Sequence, residues 1–266
     1  MIRKEKRKFA RFSKIIFLSL TALFILVAFS LARSSFFHIK QIEIQGDKID
    51  CVDSDQLKNA SGLYGQNFFL LSSKKLQEEL KAKFVCIKVV TVDRLIPDKV
   101  KIEISSRKPT AILLKVKDKQ ASPSSLIENI ATPEAGAVQD RYIVDSEGVV
   151  FSKSMDDSNV PKIFYFDPEI AVGEKLENSF INNALKILDK IKTFGVATKK
   201  SWIAEEFFII NPDTSDPKII FRLDSQIDIQ LASLQLILTE AKIDLRELTF
   251  IDLRFDKPVV RFAPKK

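Results

Sequence analysis

Between Ile15 and Ala32 the chain runs IIFLSLTALFILVAFSLA, eighteen residues without a charged side chain. A helix of that length extends about 27 Å, close to the hydrocarbon thickness of a bilayer. Arg3, Lys4, Lys6, Arg7, Lys8, Arg11 and Lys14 precede the run and only Glu5 opposes them, while Arg33 and Lys40 follow it. Cytoplasmic flanks carry the excess of Lys and Arg. The pattern predicts a transmembrane helix over 15–33, a cytoplasmic basic tail over 1–14, and everything later on the far side. A cleavable signal peptide also opens on a basic region. Its apolar stretch is about 7–15 residues and closes on a small-x-small site, whereas here the exit reads LARSSFF. An uncleaved, single-pass anchor is therefore expected.

Charge and residue usage then remove several classes of function. The chain carries +7, but residues 1–14 alone account for +6, so the remaining 252 residues are close to neutral. No basic stripe with interleaved aromatics stands out, which argues against nucleic acid as a partner. The two cysteines, Cys51 and Cys86, are too few for a disulfide framework or a metal site; small buried thiols are expected, and a single bridge between them outside the cytoplasm is the alternative. The one histidine, His38, falls on the stalk between the anchor and the first strand, where it is expected to be interfacial. None of the seven glycines forms a phosphate-cradling cluster. Glu78–Glu79 and Glu205–Glu206 read as solvated faces. No catalytic, cofactor-binding or metal-binding residues are expected.

Beyond the anchor, Phe37–Gln45 alternates as a strand ending at Gly46. Asp53-Ser54 opens a short helix closed near Gly62, and Ser72 or Ser73 caps a second in which Leu76, Leu80 and Phe84 repeat. Strands at Ile87–Arg94 and Val100–Ser105 flank a turn at Pro97-Asp98. The order β-α-α-β-β is that of a compact α+β unit. In order along the chain stand Ile44-Gln45-Gly46, Gly65-Gln66-Asn67-Phe68-Phe69, Val92-Asp93-Arg94-Leu95-Ile96-Pro97-Asp98 and Arg107-Lys108-Pro109-Thr110-Ala111. This series resembles the POTRA domain of the FtsQ/DivIB family of bacterial cell-division proteins, apart from Ser106 where the family usually has Glu. The domain is expected over 37–111, followed by a Ser- and Pro-rich flexible loop over 112–140.

Order resumes with Tyr142–Phe151, a hairpin whose D-x-x-G turn resembles the opening of the family's second, β-rich domain, expected over 141–266. Asn178-Ser179 caps a helix with an apolar stripe of Phe180, Ala184, Leu185, Leu188, Ile191 and Phe194, stopped by Gly195. Strands are expected at Trp202–Ile210 and Lys218–Leu223, then a helix near Ile229–Lys242. The last strand, Leu248–Phe255, contains Ile251-Asp252-Leu253-Arg254, similar to the family's C-terminal signature. The glycine the family carries before the last helix is absent around Asp224-Ser225-Gln226. The fold class expected is thus α+β: an N-terminal transmembrane helix, a POTRA-like domain and a second β-rich α+β domain.

The resemblance implies a non-enzymatic, bitopic divisome scaffold in the bacterial cytoplasmic membrane, sited at the septum. It would link early and late division components and bind FtsL and FtsB/DivIC-type membrane proteins. Pro258 follows the last strand, and proline cannot donate to a ladder, so that strand is expected at a sheet edge open to a partner strand. Phe250, Ile251, Asp252, Leu253, Arg254, Phe255 and Val259 are the expected partner-binding residues. Ile251, Leu253 and Phe255 share the core-facing side, and Asp252 and Arg254 are spaced to pair with each other. Two other readings differ in what they require. A POTRA factor in envelope protein assembly would need several POTRA repeats and a barrel, and a carboxylate-based wall hydrolase would need a catalytic pair.

Overall fold

The computed structural model describes residues 16–27, 30, 34–46, 52–116, 138–153, 159–166, 170–211, 217–224, 226–240 and 247–263. The chain divides into two compact units, Met1–Ser106 and Arg107–Lys266. Helix α1 covers 16–27, and its apolar side chains stand exposed. Among the described residues no helix is long and apolar enough to cross a membrane. The remainder of the expected 15–33 span, apart from residue 30, and the tail 1–14 lie outside the described residues.

In the first unit, β1 (Gln41–Gly46), α2 (Ser54–Ser61), α3 (Ser73–Lys83), β2 (Ile87–Leu95) and β3 (Lys99–Ser106) follow the expected order. Both helices begin where short polar side chains satisfy the first free amides. Asp53 forms a capping box with Gln56, and Ser72 accepts from Lys75 N. The sheet runs β1-β3-β2, with β3 parallel to β1 and antiparallel to β2. Val100, Ile102 and Ile104 alternate inward from the central strand onto Leu57, Leu76 and Leu80 of the helices. Between the helices, Phe68 closes this core while Phe69 points out.

The expectation of unpaired thiols fails at Cys86, which is disulfide-bonded. The chain's other cysteine, Cys51, lies outside the described residues. Two cysteines cannot build a framework, but they suffice for a single covalent staple, the alternative that the sequence leaves open.

The second unit is one nine-stranded sheet, ordered β12-β11-β10-β9-β8-β7-β4-β5-β6. Its strands are β4 (Ala111–Val116), β5 (Val138–Val144), β6 (Val150–Lys153), β7 (Lys162–Tyr165), β8 (Lys200–Ala204), β9 (Phe207–Asn211), β10 (Lys218–Arg222), β11 (Leu248–Asp252) and β12 (Val259–Phe262). Helix α4 (Ser179–Thr193) joins the parallel neighbours β7 and β8, and α5 (Ile227–Glu240) joins the parallel β10 and β11. Parallel neighbours require such long crossovers. Both helices bury their stripes, Leu185 and Leu188 on α4 and Leu231 and Leu234 on α5, in one core with Phe208 and Phe221.

The opposite face of the sheet is also apolar. Ile112, Leu114, Phe164, Trp202, Ile209 and Ile220 form a second cluster there, with Phe164 stacked on Trp202 at 5.2 Å. Strands buried on both faces read as continuous apolar runs rather than alternating ones. This explains two departures from expectation. Residues 111–116, read as the end of the first domain and the start of a loop, are strand β4, which pairs with β5 and β7. Residues 117–137 of the expected loop lie outside the described residues. The expected strand Trp202–Ile210 is a hairpin, β8 and β9, folded back at Glu205-Glu206, where Glu205 takes a positive φ of 57°. At Gln226, near the point where the family's glycine is absent, φ is 52°: a glutamine occupies the left-handed conformation that glycine adopts most easily.

Candidate partner interface

The C-terminal end of the sheet is built by β10, β11 and β12. β11 lies parallel to β10 with Ile219 opposite Ile251, and antiparallel to β12 with Ile251 opposite Val260 and Asp252 opposite Val259. The expected edge, Leu248–Phe255, is therefore an interior strand that ends at Asp252. The edge is β12. The expected strand runs on to Phe255, whereas the chain reverses over Asp252–Pro258 and returns for one more pairing. Pro258 precedes that last strand rather than closing the sheet, so its missing donor costs no ladder bond.

This register sorts the expected binding residues. Ile251 and Leu253 are buried in the core, and Leu253 N donates to Ile220 O at 2.9 Å. Phe250 packs partly against the second cluster, under the guanidinium of Arg261 at 4.7 Å. Asp252 is also buried and takes both arms of Arg254, at 2.9 Å and 2.6 Å. That hydrogen-bonded carboxylate raises the Arg254 pKa, with burial opposing it, and the guanidinium lies 4.9 Å from the Phe207 ring and 5.5 Å from Phe255. Asp252 and Arg254 thus fasten the bend after β11. Phe255 is exposed, contrary to its expected place on the core side, because the chain has left the strand by then. Val259 alone of the expected set stands on the edge strand, 47% exposed.

Phe262 on the same strand is 51% exposed and, with Val260 and Arg261, was absent from the expected set. The pair Val259-Val260 after Pro258 was the signal available: β-branched residues prefer a pleated surface. Among the described residues, no strand lies on the outer side of β12. The opposite edge, β6, is defended differently. It ends at Lys153, which reaches Asp140 at 3.3 Å and lies over Tyr142 at 5.2 Å. The Asp140 hydrogen bond raises the Lys153 pKa. A charged lysine at an edge discourages strand addition.

Elsewhere, Arg107 pairs with the buried Asp145, whose carboxylate also accepts from Glu147 N and Val149 N at 3.0 and 2.9 Å. Two sequence motifs read separately, R-K-P-T-A and V-D-x-x-G, are therefore one structural cluster. Among the described residues no group of three or more His, Cys, Asp or Glu side chains could hold a metal ion.

Residues 37–107 match the sequence family described as POTRA domain, FtsQ-type. The first unit carries an FtsQ-type POTRA domain. The match supports an FtsQ/DivIB-family protein, and POTRA domains of this type point to protein–protein interaction in cell division. No curated protein matches the chain. His38, expected on the stalk, belongs to the POTRA domain instead, bridged to Asn67.

Proposed function

We propose that this protein is a bitopic division-site scaffold whose β12 edge accepts a strand from a partner of the FtsL or FtsB/DivIC type. The observation that carries the reading is an open edge bearing Val259 and Phe262, in a chain with an FtsQ-type POTRA domain. Strand addition draws affinity from main-chain hydrogen bonds and specificity from alternate side chains. The anchor reading is supported by the eighteen-residue uncharged run and by α1, which exposes apolar side chains such as Leu18 and Phe24. A helix that is hydrophobic all round requires an apolar surrounding. The disulfide at Cys86 fits placement outside the cytoplasm, where such bonds persist.

Changing Val259 or Phe262 to Glu places a charge on the edge without touching the core. At least one change should abolish co-purification of the partner while the melting temperature stays that of the parent. If both variants retain the partner, β12 is not the docking edge. A fluorescent fusion should gather in a mid-cell band, and uniform envelope signal would count against a role in division.

A further inference from the structure

Three loops converge at the end of the POTRA domain where the chain arrives from the apolar run. Residues 37–39 are bonded to 65–68, through Phe68 N to Phe37 O at 2.8 Å, Ile39 N to Gln66 O at 2.9 Å and Gly65 N to Ile39 O at 3.0 Å. The β2–β3 turn joins them, since Lys40 N donates to Asp98 O at 2.9 Å. Arg94 on β2 reaches Ser73, at the start of α3, at 3.5 Å. These loops hold apolar side chains outward: Phe36 is 57% exposed, Phe69 50%, Leu70 83% and Ile96 74%. The presentation is rigid, because Asn67 fixes the turn through Phe69 N to its side chain at 2.9 Å and Leu70 N to its carbonyl at 3.1 Å. Phe37 packs on both Phe36 and Phe69 with ring centres 5.1 and 5.0 Å apart.

We propose that this end of the POTRA domain is a lipid-facing surface, with Phe36, Phe69, Leu70 and Ile96 seated in the headgroup layer of an anionic bilayer. The inference rests on the anchor reading above. Chain length selects the occupant: three residues separate Ala32, the last of the uncharged run, from Phe36, a reach of at most about 14 Å over four Cα steps when fully extended. The segments 34–40, 64–75 and 94–99 also carry Lys40, Lys74, Lys75, Arg94 and Lys99, of which Lys40 is paired with Asp98, Lys75 with Glu79 and Lys99 with Glu43. Lys74 and Arg94 add positive charge in the same segments as the apolar side chains, as suits a membrane interface that holds anionic lipid. A scaffold held this way would present its POTRA domain in one orientation to the membrane, not as a freely swinging module.

The test uses the full chain in vesicles of zwitterionic and anionic lipid, with part of the lipid brominated near the headgroup. Leu70→Trp and Ile96→Trp report on the surface from two loops, so a failure of one to fold leaves the other. Val89→Trp, at an exposed position six residues before Leu95 on β2, is the control, about 20 Å away along the strand. Native Trp202 is buried and supplies a common background. Bromolipid should quench the added fluorescence of the Leu70 and Ile96 variants at least about two-fold more than that of the Val89 variant. Equal quenching with a chain that still floats with vesicles after alkaline extraction overturns the lipid surface and leaves the anchor standing. A chain that does not float removes the anchor and this proposal together. Quenching abolished only when the chain self-associates assigns the patch to a second copy and also overturns it.

Discussion

Two adjacent phenylalanines illustrate how much a single position depends on its surroundings. Phe68 is 3% exposed within the POTRA core and Phe69 is turned outward, although nothing in the string Gly65-Gln66-Asn67-Phe68-Phe69 distinguishes them. Asn67 decides, by folding its side chain onto Phe69 N. Phe68→Ala should destabilise the domain by about 3–5 kcal/mol, because a large cavity opens among packed side chains. Phe69→Ala should cost about 1 kcal/mol or less. Denaturant midpoints of the two variants check this, and equal midpoints would mean that the pair does not divide between core and surface. Asp252 and Arg254 show the same dependence: their spacing permitted a pair in the sequence, and only the bend after β11 makes it bidentate and partly buried.

Elements were legible where period and punctuation agree. Helices α2, α3 and α4 begin at Asp53, Ser72 and Asn178, as their capping side chains indicated. The strands of the POTRA domain alternate because one face is covered by helices; β2 and β3 lie within a residue of the expected bounds, whereas β1 begins at Gln41 and not at Phe37. In the second unit the period fails. Both faces of the sheet are apolar, so β4 passed for the edge of a loop, and β8 with β9 passed for one strand. Gly46, the last residue of β1, tests the element pairing directly. Its φ is 138°, and a Cβ added there would lie 1.9 Å from Ile104 O of β3. Gly46→Ala should therefore weaken the β1–β3 pairing and cost the POTRA domain about 2 kcal/mol or more. A thermal melt matching the parent would show that the two strands do not approach so closely.

At the scale of the whole molecule, topology is the property to test first. A reporter active only outside the cytoplasm should work when fused after Lys266 and fail when fused before Met1, and the mature chain should keep its N-terminus. The opposite reporter pattern, or a mature protein beginning near Ser34, would overturn the single-pass reading. The charge asymmetry that predicts this orientation, the capped helices and the ordered motifs of the POTRA domain all sit in contiguous stretches, so the sequence by itself determined them. Local chemistry is enough for a cap, a turn or an apolar run. Which strand forms the open edge depended on long-range pairing: β12 lies beside β11 only because the Asp252–Pro258 reversal brings the chain back, while β10 covers the other side of β11. The convergence of Phe36, Leu70 and Ile96 at one end likewise depended on backbone bonds between segments about 30 residues apart, and about 60 for Lys40 with Asp98. Tertiary structure decided these surfaces, because an edge or a patch is defined by what fails to pack against it, and no local pattern records that.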